Sequence, residues 1–222
     1  MTQIARNEPV LTIDIVSDVV CPWCYIGKRK LEAALALPEA AALPKVEVRW
    51  HPFQLNPELA KEGVSRKQYL EDKFGGPERA AEIYQRVRAA GKAAGLDLNI
   101  DGISLQPNTL AAHALIAFAQ QQGAGSEVKE RLLKAYFVEN RFIGEVDVLA
   151  EIAAEAGLDR AAARAWISDP ARLQAVADAD AQARGMGISG VPFFIFNQKL
   201  AVSGAQDPAT LLDAMQQALA AA

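Results

Sequence analysis

The sequence predicts an α/β fold in which two fragments of one sheet are separated by a large all-helical insertion. Three observations carry that expectation: a strand, helix, strand unit at the start, a hairpin and helix at the end, and helix with short loops between them.

The elements follow in order. "VLTIDIV" (residues 10–16) alternates and is rich in β-branched side chains, the pattern of a strand. "CPWCYIGKRKLEAALAL" then reads as a helix: Pro22 suits its first position, Leu31 and Leu35 share a face, and Pro38 and Pro44 close it. "KVEVRWHPF" (residues 45–53) alternates again before Pro52 and Pro57, so a helix joins two strands, a connection that normally makes them parallel. From Ser65 the signal is helical. Ser65 caps "RKQYLEDKF", Pro77 opens "PERAAEIYQRVRAAGKAAG", Asn108 caps "TLAAHALIAFAQQ" and Ser126 caps "EVKERLLKAYFVEN". Asp147 opens "VLAEIAAEAG", Asp159 opens "RAAARAWIS" and Pro170 starts "PARLQAVADADAQARG". No fixed period relates these segments, so they form one helical unit rather than a repeat array. Strand character returns in "GVPFFIFN" (190–197) and "KLAVSG" (199–204), joined closely enough for a hairpin, and Asp207 and Pro208 start a last helix. The expected organisation is a discontinuous domain of residues 1–60 and 186–222, with residues 61–185 inserted as a helical domain.

Composition narrows the function. The chain has 222 residues, 51% of them apolar, and a formal net charge of -4, which describes a globular protein without the clustered cations that nucleic acid requires. No apolar run is long enough to span a membrane, and the amino terminus lacks the pattern of an export signal, so the cytoplasm is the expected compartment. Structural disulfides are rare there.

Cys21 and Cys24, the two cysteines of the chain, lie in "DVVCPWCYIG" with Pro22 and Trp23 between them. Their spacing places both thiols on one face of the first helical turn, with Cys21 at or beside the N-cap. Unpaired backbone N–H groups and the positive end of the helix dipole favour a thiolate there. Cys21 would then attack a disulfide sulfur, and Cys24, one turn deeper, would displace the bound partner. Pro22 stiffens the turn, and Trp23 offers an apolar face beside the sulfur. A structural staple across so small a loop restricts the unfolded chain little. Zinc needs four ligands, and beyond the cysteines the chain offers only His51 and His113, so no metal is expected. Two inert buried thiols would not require a proline between them at a helix start. A reactive dithiol is the favoured reading. In "SGVPFFIF", Pro192 enters a strand without an N–H to donate. Only about 5% of X–Pro bonds are cis, so the residues alone favour a trans strand-opening proline.

"CPWC" at the start of the first helix, "GVPFFIF" opening a late hairpin and the helical insertion between them resemble the thioredoxin-like fold of DsbA-type disulfide oxidoreductases. The segments "SDVVCPWCYIGKRKLE", "RWHPFQLNP", "QPNTLAAHAL", "AYFVENRFIGEVDVLAEIAAEAGLD" and "GVPFFIFNQKLAVSGAQ" are similar to recurring segments of the FrnE-like branch, across nearly the whole chain. The resemblance implies a thiol–disulfide oxidoreductase with Cys21 as attacking thiol and Cys24 as resolving thiol. It also implies a cis Val191–Pro192 bond packed against the dithiol, and a substrate strand paired with the backbone of Val191. Pro22 and Trp23 would flank that substrate. Asp14 falls near the position where many relatives carry a buried acid serving the resolving thiol; an ordinary exposed strand carboxylate stands beside that reading, since Leu11, Ile13 and Ile15 form the other face. The redox group would be the Cys21–Cys24 pair itself, with no separate cofactor and glutathione as a candidate co-substrate.

Two departures bound the carry-over. No cysteine follows Cys24, which excludes a relay to a second dithiol, and Trp23 replaces the histidine found between the cysteines of strong periplasmic oxidants. The competing function is a glutathione-dependent transferase or isomerase, because kappa-class glutathione transferases and 2-hydroxychromene-2-carboxylate isomerases share the architecture, with serine in place of Cys21. Retention of both thiols favours redox work. A noncatalytic binding module is a third class that nothing in the sequence demands. Expected partners are disulfide-bearing proteins or thiols, with neither nucleic acid nor membrane. Both a monomer and a homodimer are compatible with the pattern.

His113, in the apolar "NTLAAHALIAF", reads as a packed and hydrogen-bonded histidine, with lining of the cleft as the alternative. His51 is ambiguous between the same two roles, and "FQLNP" (residues 53–57) could lie near the active helix. Trp50, Trp166, Phe193, Phe194 and Phe196 read as core.

Overall fold

The computed structural model describes residues 10–221. The amino-terminal stretch expected to lack an export signal, and the start of the expected 1–60 segment, fall partly on residues 1–9 and so lie outside the described residues, as does Ala222.

A four-stranded sheet of order β2-β1-β5-β6 carries the site. β1 (Val10–Ser17) runs parallel to β2 (Lys45–Pro52), Ile13 beside Val48, and α1 (Pro22–Leu35) makes the crossover between them. β5 (Phe193–Phe196) lies antiparallel on the other side of β1, Ile15 beside Phe194, and β6 (Leu200–Ser203) returns as the second arm of the hairpin. The hairpin turn sits at Asn197 and Gln198, both at positive φ, the geometry of a tight two-residue turn. Asn197 also accepts from the Thr12 N–H at 2.9 Å, which locks the turn to β1. α9 (Pro208–Ala220) packs on α1 and closes the fold.

Between β2 and β5 the chain forms α2 (Arg66–Phe74), α3 (Pro77–Ala93), α4 (Leu110–Gln120), α5 (Gly125–Phe137), α6 (Val146–Glu155), α7 (Arg160–Ser168) and α8 (Pro170–Gly185). Ser65 and Asp159 cap their helices as expected, accepting from Gln68 N at 3.4 Å and Ala162 N at 2.6 Å. Asn108 accepts from Leu110 N at 2.9 Å. Two expected helix openers do other work. Ser126 lies inside the first turn of α5, where its hydroxyl accepts from the Trp50 indole at 2.9 Å, and Asp147 lies inside α6 and pairs with Arg164. A two-residue ladder of β3 (Val64–Ser65) with β4 (Leu105–Gln106) was not expected, since so short a pair carries no periodicity.

One apolar cluster runs from Leu11, Ile13, Ile15, Ile26, Phe194 and Phe196 into Leu115, Leu132, Phe137 and Leu149 of the helices. Phe193 is half-buried in a smaller cluster with Val16, Phe53 and Ile188, and Trp166 packs on Phe118 at 5.5 Å. Asp14 lies on the opposite face of this central strand, beside Arg49 and Ile195 and against His51, and these neighbours bury it although it alternates with Leu11, Ile13 and Ile15. β2 is a sheet edge, and Gln120 satisfies it by accepting from Trp50 N at 2.6 Å and donating to Trp50 O at 3.0 Å. No helix among the described residues is long and apolar enough to cross a membrane.

Candidate active site

β1 ends in a short turn that delivers Cys21 to the N-cap of α1, with Pro22 at the first helical position. The Cys21 carbonyl accepts from Cys24 N at 3.0 Å, which closes the first turn and stacks the two thiols on one face. Both thiols are free and buried, Cys24 the more deeply. Val191 and Pro192 approach from the loop before β5, and the bond between them is cis, as the family resemblance implied and against the trans reading of the residues alone. The Cys21 thiol faces the Val191 carbonyl at 3.6 Å. Pro192 packs under α1, where the close approach requires Gly27: a Cβ there would stand 2.8 Å from Pro192 Cγ.

The two thiols are electrostatically unlike. A hydrogen bond from the Cys24 thiol holds the Cys21 pKa below its ordinary value against the opposing effect of burial, helped by the backbone N–H groups of Cys24 and Trp23. Burial, with the adjacent Cys21 sulfur, pushes Cys24 well above its ordinary value. An arrangement of this kind presents one nucleophilic sulfur to solvent-side chemistry and holds the second in reserve as a thiol.

Below the pair lie charges that the sequence reading did not single out. Asp18 is fully buried, accepting from Val19 N at 2.7 Å and Leu55 N at 2.8 Å and meeting His113 Nε2 at 3.2 Å. Despite burial, these hydrogen bonds, above all that of His113, hold its carboxyl below the usual range. Lys129 of α5 is also buried, and burial pushes its amine down to about 8 although the charges of Cys24, Asp18 and Cys21 oppose this. Asp14, the acid considered from the sequence, is turned to His51, whose Nε2 it meets at 2.7 Å; the carboxylate charge acting on Cys21 is that of Asp18. A signal for Asp18 was present in its place three residues before Cys21. Lys129 had a clearer one, since it shares a helical face with Leu132, Leu133 and Tyr136.

A cavity of about 270 Å³ opens beside Cys21, lined by Pro22, Trp23, Leu55, Gly190 and Val191 on one side and by side chains of α2 and α3 on the other. Trp23 is 39% exposed at its rim. Pro22, Trp23 and Val191 are thus brought together with Cys21, and the "FQLNP" loop contributes Leu55. His113 is packed and hydrogen-bonded; it lines a separate cavity with Trp50, His51 and Lys129. Among the described residues no group of three or more His, Cys, Asp or Glu side chains could hold a metal ion.

The model of the DSBA-like thioredoxin domain matches residues 12–216. The chain is 31% identical over 149 residues to the uncharacterized protein YwbO of Bacillus subtilis, spanning 67% of this chain and 68% of that one. It is similar to the solved structure of a probable DsbA oxidoreductase, SCO1869 from Streptomyces coelicolor, at 31% identity and a TM-score of 0.86 over 96% of this chain and 91% of that chain. The cytosolic disulfide reductase DsbM from Pseudomonas aeruginosa, solved with GSH, shares the fold at 22% identity and a TM-score of 0.60, over 94% of this chain and 96% of that chain.

Proposed function

Because the chain belongs to the DSBA-like thioredoxin domain family, we propose that it is a thiol–disulfide oxidoreductase working through Cys21 and Cys24. The observation that carries the reading is the pair itself: two free thiols one helical turn apart, displaced in opposite directions in pKa by their mutual hydrogen bond and by burial.

In the reductive direction the Cys21 thiolate attacks one sulfur of a substrate disulfide. The substrate S–S bond breaks, one thiolate leaves and takes a proton from solvent, and a Cys21–substrate mixed disulfide forms. Cys24 then loses its proton and attacks the Cys21 sulfur, releasing the second substrate thiol and leaving a Cys21–Cys24 disulfide, so that two electrons pass to the substrate. The positive charge of Lys129 favours the Cys24 thiolate that this step needs. Asp18, joined to His113, holds the counter-charge, and it takes the place first considered for Asp14. Run backwards, the same steps oxidise a dithiol, and the direction follows the potential of the partner.

Substrate approaches along Val191 and pairs an extended segment with its backbone, with Pro22 and Trp23 flanking the attacked sulfur; in support, all three line the cavity beside Cys21. Of the described residues, we take 10–60 and 186–221 as the redox domain and 61–185 as the insertion. DsbM is a cytosolic reductase solved with GSH, and we take the cytoplasm as the compartment and glutathione as a candidate co-substrate on that likeness. Retention of both thiols sets the chain apart from a glutathione transferase or isomerase of the same architecture.

Two variants test the reading. Cys21→Ser should abolish exchange, and Cys24→Ser should accumulate a mixed disulfide visible as a mass adduct on the intact protein. Turnover undiminished in both variants would sink the proposal.

A further inference from the structure

Arg66, the first residue of α2, is 2% exposed and lies in the wall of the cavity beside Cys21. Its Nη1 donates to Tyr136 Oη at 2.8 Å and to the Gln106 side-chain oxygen, and Nη2 donates to Tyr84 Oη at 3.0 Å. The rings of Tyr84 and Tyr136 flank the guanidinium with centroids 5.5 and 5.4 Å from Cζ. Burial raises the pKa of both phenols, so both stay neutral. Among the described residues Nε has no partner, and it is sealed from solvent. Among the described residues, every group that hydrogen-bonds to the guanidinium or flanks it with a ring is therefore uncharged. A buried charge without a counterion is costly to hold, and an anionic ligand would supply the missing charge.

The rest of the cavity agrees. Lys73 brings a second cation, and no aspartate or glutamate is among the lining residues although the chain as a whole carries a net charge of -4. Apart from the neutral polar groups of Tyr69, Tyr84 and Gln106, much of the remaining wall is apolar, with Leu55, Leu70, Phe74, Ile83 and Val87. A volume of about 270 Å³ suits a small molecule rather than a folded partner.

We propose that this cavity takes a low-molecular-weight disulfide bearing a carboxylate, which Arg66 and Lys73 hold while Cys21 attacks its sulfur. The inference rests on the disulfide-exchange reading and adds its substrate class. Reduced protein supplies both electrons: the substrate S–S bond breaks, Cys21–Cys24 forms, and two substrate thiols leave with the two protons of the dithiol.

The experiment uses three disulfides of similar size, the dianionic 3,3′-dithiodipropionate, the neutral 2-hydroxyethyl disulfide and the dicationic cystamine. Single-turnover oxidation of the reduced full chain is quenched by alkylation and read by mass spectrometry. Each rate is divided by that of free dithiothreitol, which removes the intrinsic reactivity of the probe. A charge-assisted hydrogen-bond pair predicts that the dianion is favoured over the neutral probe by roughly ten- to hundredfold, with cystamine slowest. Arg66→Gln should collapse that preference to within about threefold. Should Arg66→Gln fail to fold, Lys73→Met on the exposed side must still reduce the preference. As a binding readout without chemistry, 3,3′-dithiodipropionate must raise the melting temperature of the Cys21→Ser, Cys24→Ser double variant where 2-hydroxyethyl disulfide does not. A flat or reversed charge series overturns the proposal and leaves disulfide exchange standing, as does a faster reaction with an acidic disulfide-linked peptide. Failure of all three disulfides to oxidise the dithiol overturns the exchange reading itself.

Discussion

Replacing Lys129 with methionine removes a buried charge at nearly constant volume, and the consequence for stability can be worked out with its sign. The amine has an ordinary value of 10.5 and is pushed down to about 8 in the fold. Between those values the unfolded chain binds the extra proton and the folded chain does not, so stability rises with pH across that window. The penalty of holding Lys129 is thus fully present below about pH 8 and fades as the pH climbs through 10.5. At pH 7 it amounts to about 3 kcal/mol, and at pH 9.5 to about 1.5 kcal/mol. Methionine carries no such penalty and packs well in irregular space. The charge it withdraws from Asp18 is already counted in that figure, and Asp18 keeps His113 and two backbone N–H donors. Lys129→Met is therefore expected to be more stable than the parent by about 1–3 kcal/mol at pH 7, with the difference shrinking by about half at pH 9.5. Urea unfolding of both reduced proteins at the two pH values measures it. The same variant should release bound substrate more slowly, because the Cys24 thiolate loses its cation. A variant less stable than the parent at pH 7, or a difference that grows with pH, would refute the reasoning.

Two further expectations follow from the packing and the charges. Gly27→Ala places a Cβ 2.8 Å from Pro192 Cγ and 3.3 Å from Phe194 Cζ, and overpacking against these buried rings should lower stability by about 1–3 kcal/mol, more than the helix gains from alanine; a urea midpoint above the parent's would contradict the contact. Asp18→Asn should shift the pH midpoint of Cys21 alkylation downward, because the buried carboxylate charge raises the Cys21 pKa, whereas Asp14→Asn, held by exposed His51, should leave it in place; alkylation rates measured against pH distinguish them, and equal shifts would refute the assignment.

Much of the site was legible because its signals are local. "CPWC" places two sulfurs and a helix start within one turn, and the physics of a helix N-terminus says which sulfur ionises. The strands and most helix starts carry their own periodicity and caps, as Ser65 and Asp159 show. Local patterns misled where a side chain had a distant partner to serve. Ser126 has the residue type of a cap yet accepts from Trp50, and Asp14 alternates like an exposed residue yet is buried, because it sits on a central strand between Arg49 and Ile195 and against His51.

The amino-acid sequence by itself determined the kind of chemistry, a dithiol at a helix start, and the order of elements that folds around it. Tertiary structure alone decided which buried charges that dithiol feels and what can reach it. Asp18, His113 and Lys129 come from the end of β1, α4 and α5, and Arg66 reaches the cavity of Cys21 from α2. The physical reason is that a pKa and a binding pocket are set by groups close in space, and no periodicity along the chain records which distant residue will become the neighbour of a sulfur.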